Sequence, residues 1–258
     1  MPISSCCPRP RCRSCPGNCR TSFPATGKGS SSTSPPAGSG EQRAALVGAP
    51  MGDFERGYTN SVAGLSAALP PYRYDKAHLV PFGEFIPWGF RWFTDLMNIP
   101  LGDFTRGRLD PPPFVAAGQR IAPNICYEDL FGEELARRFV PGAAAAAPTL
   151  MANLSNIAWF GPTIAVDQHL HISRLRTLEF QVPMVRATNT GATAAISHEA
   201  VVTAMVQPQT RGSVVAKVQG REGVTPYAWW AGRFGLAPLA VVALAVVLLA
   251  VAARRRRS

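Results

Sequence analysis

Gln119-Arg-Ile-Ala-Pro-Asn-Ile-Cys126-Tyr-Glu-Asp129-Leu-Phe-Gly-Glu-Glu-Leu-Ala-Arg-Arg-Phe139 runs from a short apolar segment through a cysteine into a helical pattern. Gln119–Cys126 reads as a buried strand. Leu130–Phe139 reads as a helix with Glu133 and Glu134 early and Arg137 and Arg138 late, the order a helix dipole favours. Outward from this unit the same alternation continues. Ala44–Met51, Tyr58–Ala67 and Pro71–Tyr74 are expected strands, and Trp88–Met97 an expected helix with aromatic residues at helical spacing. Downstream, Pro148–Leu154 is a strand candidate, and Gln168–Phe180 a helix that would turn Leu175 and Leu178 toward a core. Four more strand candidates follow: Met184–Thr188, Ala192–Ser197, Val201–Val206 and Val214–Val218. Strands interleaved with helices and then a run of strands specify a layered α/β domain.

The two ends of the chain differ from this middle. The net charge of +10 over 258 residues is concentrated outside the domain: residues 1–43 carry six basic residues against one acid, and Arg254 to Arg257 close the chain. The middle is close to neutral, which excludes nucleic-acid binding through a basic folded face. Five of the six cysteines, Cys6, Cys7, Cys12, Cys15 and Cys19, lie in a Ser/Pro/Gly-rich stretch with few apolar residues. Residues 1–43 are expected to be a disordered tail, and neither a disulfide scaffold nor a zinc site is expected there. Phe234–Ala253 is 20 residues without a charge, about 30 Å as a helix and so long enough to cross a bilayer. Trp229 and Trp230 stand where an interfacial belt would lie. The expected organisation is a globular domain over 44–230, a transmembrane helix over 231–253 and a basic tail over 254–258. The positive-inside rule puts that tail in the cytoplasm and the domain on the other side.

Cys126 ends an apolar strand just before a helix, where backbone N–H groups of the following residues can face a developing oxyanion. A second polar concentration, Tyr74-Asp-Lys76-Ala-His78-Leu-Val-Pro-Phe-Gly-Glu84-Phe-Ile-Pro87, sets a lysine, a histidine and a glutamate within nine residues. Lys76 is one of three lysines in a chain with 23 arginines. A compact, tunable ammonium is therefore expected to matter at that position.

These two segments resemble the apolipoprotein N-acyltransferases, the membrane-bound branch of the carbon–nitrogen hydrolase (nitrilase) superfamily. The likeness continues through Ser155-Asn156-Ile-Ala-Trp159-Phe160-Gly161, Gln168-His169, Arg186-Ala-Thr-Asn189-Thr-Gly191, Thr225-Pro226-Tyr227 and the terminal apolar segment. The resemblance implies a nitrilase-like αββα sandwich, incomplete at its N-terminus, followed by one C-terminal transmembrane helix. It also implies a Glu-Lys-Cys triad without metal or other cofactor. Cys126 would take an acyl group from a phospholipid as a thioester and pass it to the α-amine of the lipidated N-terminal cysteine of an apolipoprotein. Lys76 would stabilise the oxyanion, and Glu84, Tyr127 and Glu128 map onto further residues on which the family relies. The implied setting is a bacterial inner membrane with the domain on the periplasmic side, the protein acting as a monomer.

The sequence departs from the family in three ways. The triad glutamate would precede the strand that begins at Ala44, yet Glu41 is the first glutamate and lies too close to it. The family's preceding membrane helices are not found either. Residues 1–43 are accordingly expected to be non-native sequence from a truncated or frame-shifted gene, leaving activity doubtful. Ile157 stands where many relatives carry Asp, and Thr190 replaces a second Asn. The alternative expectations are an inactive membrane-anchored remnant and a carbon–nitrogen hydrolase acting on a small amide or nitrile.

Overall fold

The computed structural model describes residues 4–5, 44–53, 55, 57–66, 71–90, 104–140 and 146–255. Strands β1 (Ser4–Ser5), β2 (Ala44–Asp53), β3 (Gly57–Ser66) and β4 (Tyr72–Asp75) form one sheet in that order. A second sheet has β5 (Phe114–Ala116), β6 (Gln119–Ile125), β7 (Leu150–Ser155), β8 (Met184–Thr188), β9 (Thr193–Ile196) and β10 (Val202–Val206) side by side in chain order. The helices are α1 (Gly132–Ala136), α2 (Ala165–Phe180), α3 (Pro226–Phe234) and α4 (Ala237–Arg255). The cysteines at positions 6 to 19 and residues 91–97 of the expected Trp88–Met97 helix lie outside the described residues.

β2 and β3 make a hairpin paired from Ala44↔Ser66 to Asp53↔Gly57. Its turn depends on glycine: Gly52 has φ +144°, and a Cβ there would stand 2.1 Å from the Gly57 carbonyl oxygen. In the second sheet β6, β7 and β8 run parallel, with antiparallel β5, β9 and β10 at its flanks. All six residues of β7 are buried, as expected of a parallel strand covered on both faces.

Alternation along these strands builds two cores. Leu46, Val62 and Tyr74 of the first sheet meet Phe114, Ile121, Ile125, Leu150, Ala152 and Leu154 of the second, so the sheets pack face to face. The opposite face of the second sheet presents Ala122, Met151 and Met184 to Leu135, Ala136, Phe139, Phe180, Ala228 and Ala231 of the helical layer. Phe139 and Phe180 are stacked with centroids 4.5 Å apart. Burying each such ring is worth about 1.5–3 kcal/mol. The described residues thus form two β layers and one α layer of a layered α/β fold.

Four expectations need correction. Leu130–Phe139 is not one helix: a 3-10 turn over Cys126–Leu130, α1 and a second 3-10 turn over Arg137–Phe139 follow one another, broken at Phe131, whose ψ of 76° is not helical. Leu175 and Leu178 are exposed rather than in the core. α2 buries instead His169, Ser173, Arg176, Thr177 and Phe180, because the sheet beneath it carries the buried polar side chains Asn124, Asn153 and Arg186. Val214–Val218 forms no strand: Val215 is exposed, only Val218 packs on the inter-sheet core, and the chain crosses to Thr149, whose carbonyl accepts the Arg221 N–H at 3.0 Å. The apolar C-terminal segment is divided: Pro226–Phe234 is a separate helix, capped by the Thr225 hydroxyl accepting from the Ala228 N–H at 3.0 Å. After Gly235, α4 is 19 residues long, apolar enough to cross a membrane and buried nowhere against the domain.

Candidate active site

Cys126 directly follows β6, at the end of the parallel strands where α/β folds place their ligands. It is partly buried, and its φ is +51°. The left-handed conformation costs a residue with a Cβ about 1 kcal/mol, so surrounding bonds have to maintain it. Burial pushes its thiol up, Lys76 pulls it down, Glu84 and Asp129 push it up again and the Tyr127 backbone N–H pulls it down, with a net upward result. The group is therefore a protonated thiol at neutral pH, and its proton must leave as it attacks.

Lys76 follows β4 and is 1% exposed. Its backbone N–H donates to the Asn60 carbonyl at 2.8 Å, and its carbonyl accepts from Gly107 at 2.8 Å. Nζ donates to both Glu84 oxygens, at 2.9 and 2.7 Å. Glu84 also accepts from Asn60 Nδ2 at 2.8 Å and from the Val80 N–H at 2.8 Å. The loop between Lys76 and Glu84 thus closes on itself as a charge-assisted clamp. A buried ammonium needs such a counterion, since the desolvation cost of a lone charge is several kcal/mol.

Glu128 is buried and accepts four hydrogen bonds: from Tyr74 Oη at 2.6 Å, the Ala77 N–H at 2.8 Å, the His78 N–H at 3.2 Å and the Ile125 N–H at 2.7 Å. Burial pushes its carboxyl up, while Tyr74, the Ile125 N–H, Lys76 and the Ala77 N–H hold it down. Every partner is a donor, so the geometry accommodates the ionised form. Tyr127 packs edge-on to Phe131, centroids 5.1 Å apart, and beside His78 at 5.7 Å. His78 itself contacts Glu134 at 3.0 Å and stacks on Phe131. The five expected site residues therefore gather on two adjoining segments, with Glu128 and Tyr127 touching the Lys76 loop.

Sequence reasoning missed a buried polar layer behind Cys126. Asn153 Nδ2 donates to Asn124 Oδ1 at 2.5 Å and to the Cys126 carbonyl at 3.3 Å, and the Ser155 hydroxyl bonds Asn153 Oδ1. His169 Nε2 lies 3.1 Å from the same carbonyl, and Arg186 reaches both His169 Nδ1 at 3.0 Å and the His169 carbonyl at 2.8 Å. Asp129, fully enclosed, takes the Ser173 hydroxyl. Its carboxyl is pushed up by burial and held down by Arg186 and Ser173. Arg186, a charge inside the otherwise apolar Met184–Ala187 run, was the one local signal, whereas Gln168-His169 entered only through the family resemblance. Ile157, the noted departure, is 2% exposed and packs against Gly191, so an apolar side chain suits that position. Asn189, beside Thr190, accepts from the Ile157 N–H at 3.1 Å and donates to Asn156 at 2.6 Å.

The carbon-nitrogen hydrolase family model matches residues 60–227. The apolipoprotein N-acyltransferase of Verminephrobacter eiseniae is 60% identical over 203 residues, 75% of this chain and 38% of that protein. Those of Ralstonia nicotianae and Bordetella bronchiseptica are 54% and 50% identical, covering 83% and 81% of this chain and 40% and 39% of theirs. The chain thus spans about two fifths of the length of these curated relatives, and the resemblance read from the sequence is borne out over that part. Among solved structures, a CN-hydrolase superfamily protein from Xanthomonas campestris with an arsenic adduct in its active site superposes with a TM-score of 0.48 at 16% identity, over 65% of this chain and 60% of that one. The C. elegans NitFhit protein gives 0.48 at 18%, over 64% and 40%. With the family model covering well over half of its length, the chain belongs to the carbon–nitrogen hydrolase family.

Proposed function

We propose that this chain carries the acyl-transfer site of an apolipoprotein N-acyltransferase. The observation that carries the reading is the coincidence of two facts. Cys126, Lys76 and Glu84 fall within the matched residues 60–227, and the relatives that share this part at 50–60% identity bear that enzyme's name.

In this reading the Cys126 sulfur attacks the ester carbonyl of a phospholipid acyl chain, and the thiol proton passes to the departing glycerol oxygen. A thioester and a lysophospholipid result. The α-amine of a diacylglyceryl-modified N-terminal cysteine then attacks the thioester, an amide forms, and a proton returns to the sulfur. Lys76, held in place by Glu84, faces the oxyanion of each tetrahedral intermediate together with the Tyr127 N–H. Glu128 positions the two segments. α4 anchors the domain in the bacterial inner membrane, with Arg254 and Arg255 on the cytoplasmic side and the site on the periplasmic side. Trp159 and Phe160, 79% and 55% exposed, follow β7 at the sheet end where Cys126 follows β6, which suits contact with acyl chains. The acting unit is a monomer.

The test is transfer itself. The chain is reconstituted into vesicles holding an isotope-labelled phospholipid and a diacylglyceryl-cysteinyl peptide. Addition of one labelled acyl group to the peptide N-terminus is the expected result. A vesicle-inserted chain that leaves the peptide unmodified overturns the reading, and turnover of small amides or nitriles instead would assign it to amide or nitrile hydrolysis.

A further inference from the structure

The Cys126 carbonyl is held by two donors, Asn153 Nδ2 and His169 Nε2. His169 donates from that nitrogen because of its other neighbour. A guanidinium has no acceptor, so the 3.0 Å contact between Arg186 Nη2 and His169 Nδ1 requires a lone pair on Nδ1 and leaves the ring proton on Nε2. Arg186 is 2% exposed and His169 is 7% exposed, so water does not offer an alternative partner set. The nearest carboxylate, Asp129 Oδ2, is 3.8 Å from Nε2, beyond hydrogen-bond reach, and is engaged by Ser173. Burial and Arg186 hold His169 down at about 4, which keeps the ring neutral through the physiological range.

We infer that His169 is a positioning residue for the nucleophile: with Nδ1 occupied by Arg186, it donates from Nε2 to the Cys126 carbonyl and, with Asn153, holds Cys126 in the left-handed backbone conformation that places its thiol. The inference rests on the reading of Cys126 as the reacting thiol. Without the His169 donor, the buried carbonyl keeps one long bond and the residue relaxes toward an ordinary φ. Its sulfur then moves away from Lys76 and from the Tyr127 N–H, the two groups that favour the thiolate.

The test is the rate of Cys126 alkylation by iodoacetamide against pH, in the purified full chain, for the native protein and for His169→Gln, His169→Asn and His169→Leu. A glutamine amide reaches the Nε2 position, whereas an asparagine amide reaches only that of Nδ1. Gln is expected to stay within about threefold of the native rate, while Asn and Leu slow it about tenfold or more and move the pH midpoint upward. Equal rates in all four proteins, or a Gln variant as slow as Leu, overturn the inference. Should a variant not fold, nitrogen NMR of the native imidazole decides: protonated Nε2 with an unprotonated, hydrogen-bonded Nδ1 at neutral pH is expected, and the opposite tautomer or an imidazolium refutes it. Alkylation asks nothing of acyl transfer. A native chain that alkylates in this pattern yet acylates nothing would refute the proposed function and leave the role of His169 standing.

Discussion

Ala77 and Ile125 donate their backbone N–H groups to the two oxygens of one buried carboxylate, Glu128, at 2.8 and 2.7 Å. Ala77 follows Lys76 and Ile125 precedes Cys126, so a single side chain ties the segment of the cation to the segment of the thiol. Glu128→Gln turns one oxygen into an amide NH2 group facing donors. Stability is expected to fall by about 2–3 kcal/mol, with Cys126 alkylation slowed as the two segments separate. Urea denaturation and the alkylation rate check this together.

The Lys76–Glu84 pair predicts strong non-additivity. Lys76→Met strands Glu84 among donors without its counterion and is expected to cost about 3 kcal/mol, the low end for a broken buried pair because Glu84 is 13% exposed. The Lys76→Met, Glu84→Met double variant is expected to cost less than the sum of the single ones, while all three lose acyl transfer. A double-mutant cycle on unfolding free energies measures the coupling.

Gly107 donates its N–H to the Lys76 carbonyl, and a Cβ there would stand 2.0 Å from the Asp75 carbonyl oxygen. Backbone cannot yield as a side chain can. Gly107→Ala is therefore expected to destabilise by about 1–3 kcal/mol and to slow Cys126 alkylation by displacing Lys76. Thermal melting and the alkylation rate report the two effects.

Acid sensitivity should follow from His169. Its folded value of about 4 lies below the ordinary 6.5, so the unfolded chain binds the extra proton first as pH falls. Stability is unaffected above pH 6.5 and declines from there toward pH 4, by about 3 kcal/mol in full. His169→Gln should remove that part of the decline, as measured by urea midpoints across this range.

Strand positions were legible because period-2 and continuous apolar runs mark them directly: Gln119–Ile125 and Met184–Thr188 stand within a residue of where the pattern puts them. The segment bearing Lys76 and Glu84 was legible as a local polar concentration, and Cys126 as a cysteine ending an apolar strand before a helix. What sequence could not show was the face of α2. Leu175 and Leu178 suggested an apolar seam, but the sheet beneath presents Asn124, Asn153 and Arg186, and the helix answers with His169 and Ser173. A polar face pairs through tertiary hydrogen bonds, which leave no periodic trace. Glu128 was carried over by resemblance as a site residue. Its four backbone and tyrosine donors emerged only with the fold.

The most direct measurement is mass spectrometry of Cys126 after the membrane-inserted chain is mixed with an alkyne-bearing phospholipid, with Cys126→Ala alongside. An acyl adduct on Cys126 that hydroxylamine removes, and that is absent from the alanine variant, is the predicted result. An inserted, folded chain that acquires no adduct, or one labelled equally in the alanine variant, would contradict acyl transfer through this thiol.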